Sequence, residues 1–157
     1  MNTHSHSYQM QTALSDDAST RALGARLAPL LKAGDVICLT GDLGAGKTTV
    51  SRGLIMALTD ATEVPSPTYT LLQSYEADEF EIWHFDLYRL EAPKDIWALG
   101  IEDALDMGVC LIEWPERLET LKPDGTLDID IWFDDEGRVA LLSGNGHWGE
   151  RLKGLDI

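Results

Sequence analysis

The eight residues Gly41-Asp42-Leu43-Gly44-Ala45-Gly46-Lys47-Thr48 fill every fixed position of the phosphate-binding pattern G-x-x-x-x-G-K-[ST]. Each residue type has a chemical reason. Glycines let the backbone curl until several N–H groups converge on one phosphate. The positive end of the helix that follows adds to them. Lys47 is placed to reach the β- and γ-phosphates, and the Thr48 hydroxyl to ligate Mg2+. Asp42, Leu43, Gly44, Ala45, Gly46 and Thr49 complete the expected nucleotide-binding set.

Such a loop needs an acid that holds Mg2+ through its water shell, normally at the end of an apolar strand. Asp86 follows Ile82-Trp83-His84-Phe85, and Glu113 follows Val109-Cys110-Leu111-Ile112. Spacing alone assigns neither role, but two acids at strand ends point to one ligand crevice. Guanine-reading proteins usually carry Asn-Lys-x-Asp, and neither Asn2 nor Asn145 begins it. The seven arginines are scattered, with none of the arginine-rich lid of a nucleotide kinase. An ATP-hydrolysing or ATP-sensing protein is the class that remains.

These groups must be held by elements that the sequence marks. Asp35 to Thr40 reads as a short buried strand entering the glycine loop, and Lys47 to Leu58 as the helix leaving it. Upstream, Ser15 with Asp16 and Asp17 reads as a helix start. Leu23, Leu27, Leu30 and Leu31 form its apolar face, with Pro29 kinking or ending it. Strands are expected at Tyr69–Tyr75, Phe80–Phe85 and Val109–Trp114, with short helices at 93–99, 101–106 and 115–121. Leu127–Phe133 and Arg138–Leu142 alternate around a turn as a hairpin does. Interleaved strands and helices predict an α/β fold: one P-loop NTPase domain over residues 1–157, its mixed parallel and antiparallel sheet flanked by helices. Residues 1–7 are expected to be a flexible polar extension and residues 150–157 a variable tail.

Composition restricts the partners. The chain has 157 residues, with 27 Asp+Glu against 12 Lys+Arg, for a formal charge of −15. All of that excess lies after residue 60, since residues 1–60 hold five acids and five bases. An acidic surface disfavours a direct grip on nucleic acid or anionic membrane. The neutral N-terminal part carries the anion site. No apolar run reaches membrane-spanning length. The start lacks a signal-peptide pattern, so a cytoplasmic location is expected. Cys38 and Cys110 each sit in an apolar run and read as buried thiols; no structural metal is expected.

The sequence resembles the bacterial TsaE (YjeE) ATPases of tRNA threonylcarbamoyladenosine biosynthesis, from about Ser15 to about Trp148. The resemblance rests on 41–49, Ser-Pro-Thr-Tyr (66–69), His-Phe-Asp-Leu-Tyr-Arg-Leu (84–90) and Ile-Glu-Trp-Pro-Glu-Arg (112–117). It implies ATP and Mg2+ as cofactors, with Lys47 and Thr48 on phosphate and metal and Asp86 as the metal acid. It also implies Thr68 as a switch-loop residue near the γ-phosphate and Glu113 with Trp114 as a functional pair, Trp114 joining the nucleotide-binding set by packing on the nucleotide or on a partner, with core or interface filler as its alternative. Glu113 is then either a second metal-shell group or the residue that orients the attacking water. His84 fits a buried, satisfied histidine better than a site residue. Tyr88 and Arg89 can brace the loop after Asp86, or Arg89 can pair with a nearby acid. The implied partners are the two other proteins of the threonylcarbamoyl transfer complex, TsaB-like and TsaD-like, with tRNA engaged indirectly and no membrane. The implied activity is a weak ATPase stimulated by those partners, which cycles or resets them. A non-hydrolytic ATP-dependent adaptor or a small-molecule kinase are the alternatives. The acidic runs Glu76-Ala77-Asp78-Glu79 and Asp134-Asp135-Glu136 are expected either to face basic partner surface or to serve as solvated turns.

Overall fold

In the computed structural model, which describes residues 8–42, 44–135, 137–144 and 146–155, the chain forms a single α/β domain built on one seven-stranded sheet. Strands β1 (Tyr8–Leu14), β2 (Val36–Thr40), β3 (Leu72–Glu76), β4 (Glu81–Asp86), β5 (Val109–Glu113), β6 (Leu127–Asp134) and β7 (Gly137–Gly144) lie in the order β1-β7-β6-β2-β5-β4-β3. The four inner strands β6, β2, β5 and β4 are parallel. Antiparallel pairing adds β7 and β1 at one edge and β3 at the other. Parallel strands buried on both faces read as continuous apolar runs, and Val36–Leu39 and Val109–Ile112 are buried throughout.

Alternation along these strands sorts their side chains into two cores. Ile37, Leu39, Ile82, Leu111 and Ile129 face α1 (Asp17–Leu27) and α2 (Lys47–Leu58). Cys38, Phe85, Cys110 and Ile112 face α3 (Ile101–Met107) and the 3-10 turns at 93–99 and 115–121. Burial pushes the Cys38 and Cys110 thiols up to about 12. An ordinary thiol ionises some three pH units lower, so both stay protonated in the native protein at pH 8. An aromatic disulfide reagent at pH 8 is therefore expected to titrate neither thiol in the folded protein and both in denaturant. In the unfolded chain the thiols lose their protons first, so their contribution to stability declines as pH climbs above about 9.

Two helices that carry the site touch backbone to backbone. A Cβ added at Gly53 of α2 would overlap the carbonyl oxygen of Arg21, and one at Gly24 of α1 would overlap that of Val50. This approach fixes α1 over the glycine loop. There the Thr20 methyl sits 3.1 Å from where a Cβ on Gly46 would stand.

Several boundaries differ from expectation. The α1 N-cap is Asp16 rather than Ser15, because its carboxylate accepts the Ser19 backbone N–H at 2.8 Å. That bond holds the Asp16 carboxyl below its usual range. Helix α1 ends at Leu27 and tightens into a 3-10 turn, Ala28–Leu30, around Pro29. Strand β3 begins at Leu72 rather than Tyr69, since the Leu71 N–H turns back to the Pro67 carbonyl (2.7 Å) with Leu71 at φ 66°. The short helices expected at 93–99 and 115–121 are present with those limits and are of the 3-10 type.

Strand β1 and helix α4 (His147–Lys153) have no counterpart in the sequence reading. Trp148 and Leu152, one turn apart on α4, are fully buried. Arg151 clips this helix to the start of β2 through Asp35, at 2.5 Å. The expected extension 1–7 lies outside the described residues, as do Leu43 of the glycine loop and Glu136. Among the described residues no helix is long and apolar enough to cross a membrane.

Candidate functional site

The C-terminal ends of β2, β4 and β5 open into a cavity of about 240 Å3 whose walls include Lys47, Thr48, Thr68, Asp86, Glu113 and Trp114. Gly44, Gly46 and Thr49 line it as well. Ala45 is buried, and its N–H turns to the Asp42 carbonyl at 3.0 Å, which tightens the loop. Gly46, at φ 120°, leads directly into α2 in a conformation that side chains resist. The strand, loop and helix therefore place Lys47 and Thr48 in the wall of this cavity.

Lys47 is 5% exposed. Its ammonium donates to the carbonyls of Gly41 and of Asp42 (3.0 Å) and lies 4.3 Å from the centre of the Trp114 ring. Burial pulls Lys47 below the usual lysine value, while Glu113 and Asp86 draw it back up. Trp114 takes a left-handed conformation (φ 61°, ψ 49°), and its N–H is tied to the Leu39 carbonyl. A bulky residue rarely adopts that conformation, so the surrounding contacts must hold it. Tyr88 packs on the Trp114 ring at 4.9 Å.

The two acids stand side by side. Asp86 and Glu113 are register partners on parallel β4 and β5, with only 4% and 2% exposure. The Thr48 hydroxyl donates to the Glu113 carboxylate (2.9 Å to Oε1, 3.1 Å to Oε2). Asp86 accepts the Thr68 hydroxyl at 3.1 Å and the Tyr88 backbone N–H at 3.1 Å. Thr68 also shares a 2.8 Å hydroxyl contact with Ser66. Two buried carboxylates beside one ammonium leave negative charge that a divalent cation would neutralise. Among the described residues, no three His, Cys, Asp or Glu side chains are arranged to hold a metal by themselves. Mg2+ suits this poverty of ligands, because it keeps several waters and shares its shell with phosphate oxygens. Thr48, Asp86 and Glu113 are thus fitted to Mg2+ bound together with a nucleotide.

Two features escaped the sequence reading. Arg138, on β7, donates from Nη2 to the Gly44 carbonyl (3.1 Å) and lines the cavity, while its Nε is buried without a partner among the described residues. No local spacing announces it, since β7 reaches the loop only through the order of strands in the sheet. Asp17, in the first turn of α1, lines the same cavity. His84 is fully buried, as expected, but its Nε2 lies 2.5 Å from Glu113 Oε2, so it also belongs to the site. Arg89, for which loop bracing and an acid partner were the alternatives, covers the Tyr69 ring at 4.5 Å.

The chain as a whole is similar to known proteins. Residues 14–140 match the family model described as threonylcarbamoyl adenosine biosynthesis protein TsaE. The chain is 40% identical to a Rickettsia felis protein named tRNA threonylcarbamoyladenosine biosynthesis protein TsaE, over 80% of this chain and 74% of that one. It is 36% identical to the Bacillus subtilis protein of the same name, over 79% of each. The crystal structure of Bacillus subtilis YdiB superposes with a TM-score of 0.75 at 29% identity, covering 97% of this chain and 95% of that one.

Proposed function

The chain belongs to the TsaE family of threonylcarbamoyl adenosine biosynthesis proteins, a P-loop ATPase family, and from that premise we propose that it binds and hydrolyses Mg-ATP to cycle the proteins that modify tRNA. The observation that carries this reading is the convergence of Lys47, Thr48, Asp86 and Glu113 in one cavity at the mouth of the glycine loop. Lys47 exchanges the carbonyls of Gly41 and Asp42 for phosphate oxygens, a trade of neutral acceptors for charged ones. Thr48 and Asp86 would hold Mg2+, with Glu113 in its shell as the alternative to the role that follows, and the bound ion would neutralise charge developing on the phosphates. Glu113 orients the attacking water. Thr68, tethered to Asp86 by a single hydroxyl bond, reports the state of the nucleotide through the 65–70 loop.

The partners in this reading are the TsaB-like and TsaD-like proteins of the transfer complex, in the cytoplasm, with tRNA engaged through them. ATP turnover measured alone, with each partner, with both, and with and without tRNA tests it. Weak hydrolysis alone and stimulation by the pair is the expected result; equal rates in every mixture would overturn the partner role. Lys47→Ala is expected to weaken Mg-ATP binding at least about tenfold, the cost of one charge-assisted contact to phosphate. Unchanged binding by calorimetry would remove the nucleotide from this cavity.

A further inference from the structure

Alternation along β4 places Ile82, His84 and Asp86 on the face that meets α2. In that row His84 occupies a fully buried slot, with Leu111 of β5 and Gln73 of β3 as its register partners. An imidazole there costs stability relative to an apolar side chain unless its nitrogens are bonded. Only one of them is. Among the described residues Nδ1 has no partner, and Nε2 donates to Glu113 Oε2 at 2.5 Å. The ring's own hydrogen bonding does not account for its place; its one bond goes to the acid that faces the phosphate cavity.

The same carboxylate is otherwise held by the Thr48 hydroxyl. When Thr48 turns to the metal, that hold is lost, and the His84 bond is the side-chain contact from the sheet that remains. We propose that His84 is a positioning residue, whose Nε2–H keeps the Glu113 carboxylate aimed into the cavity while nucleotide is bound and hydrolysed. The proposal rests on the reading of Glu113 given above. It assigns His84 no contact with nucleotide and no proton transfer.

The experiment compares His84→Gln, His84→Asn and His84→Leu with Glu113→Gln. Single-turnover hydrolysis and Mg-ATP affinity are measured separately. Glutamine offers an N–H near the position of Nε2, whereas asparagine offers one only near Nδ1. Loss of a group that orients a site residue typically costs 10–100-fold. His84→Leu and His84→Asn are therefore expected to lose about 10–100-fold in the hydrolysis rate, with affinity held within about threefold. His84→Gln should recover most of the rate. Comparing the two polar variants keeps the test sound even if leucine disturbs folding. Equal rates for Asn and Gln, or a normal rate in His84→Asn while Glu113→Gln is impaired, would overturn the proposal alone. A normal rate in Glu113→Gln would overturn the Glu113 reading, and the His84 proposal with it.

Discussion

Glu113→Ala is expected to slow single-turnover ATP hydrolysis by about 10²–10³-fold, the range seen when one preorganised catalytic group is removed. The expected size follows from how much of the cavity this carboxylate organises. It accepts the Thr48 hydroxyl and the His84 ring N–H, stands in register with Asp86, and acts on the Lys47 ammonium. Mg-ATP affinity separates its two possible roles. If Glu113 orients water, the rate collapses while affinity and the Mg2+ requirement stay close to wild type. If it serves the metal shell, the Mg2+ concentration needed for half-maximal rate rises about 10–100-fold. A variant that binds Mg-ATP, fails to hydrolyse it, and still supports repeated rounds of tRNA modification would show that binding alone does the work. An unchanged hydrolysis rate would remove Glu113 from the mechanism.

The parts of the site that lie together in sequence were legible there. The run from Lys47 to Leu58 is a helix with the predicted limits, because glycine, lysine and the following apolar spacing all act locally. Asp86 and Glu113 were recognisable as strand ends, and their adjacency follows from parallel pairing of two apolar runs. Arg138 was not legible, since its approach to Gly44 depends on β1 and β7 extending the sheet beyond β6. Strand β1 was hidden by its composition. Its inward residues Tyr8, Met10, Thr12 and Leu14 alternate with Gln9, Gln11 and Ala13, so only the period of two marks it. Helix α4 was hidden by its length, its signal reduced to Trp148 and Leu152 at a spacing of four.

The acidity divides by position in the same way. The Glu76–Glu79 turn joins β3 to the start of β4, at the end of the sheet opposite the cavity. Asp134 ends β6 and Asp135 follows it, on the cavity side near Arg138. A charge that disfavours nucleic acid over the whole chain therefore coexists with a cavity whose walls carry Lys47 and Arg138.

Gly53→Ala is expected to destabilise the protein by about 3 kcal/mol, the upper part of the range for overpacking. In a helix interior alanine is intrinsically better than glycine by about 1 kcal/mol. The predicted sign is thus opposite to propensity, which makes the test sharp. The reason is contact between backbones. Besides overlapping the Arg21 oxygen, the new Cβ would sit 2.8 Å from the Arg21 carbonyl carbon, and main chain cannot rotate away as a side-chain end does. The helices must separate, and Gly24→Ala, whose Cβ would lie 2.8 Å from Leu54 N, should act in the same direction. One separation relieves both clashes, so the double variant should lose clearly less than the sum of the singles. For a domain of this size, 3 kcal/mol corresponds to a fall in Tm of about 6–12 °C. The site should respond as well, since Thr20 packs against Gly46 only while α1 stays seated on α2. Gly53→Ala is accordingly expected to weaken Mg-ATP binding in the protein that remains folded. A Tm equal to or above that of the parent would mean that the two helices do not meet through their glycines.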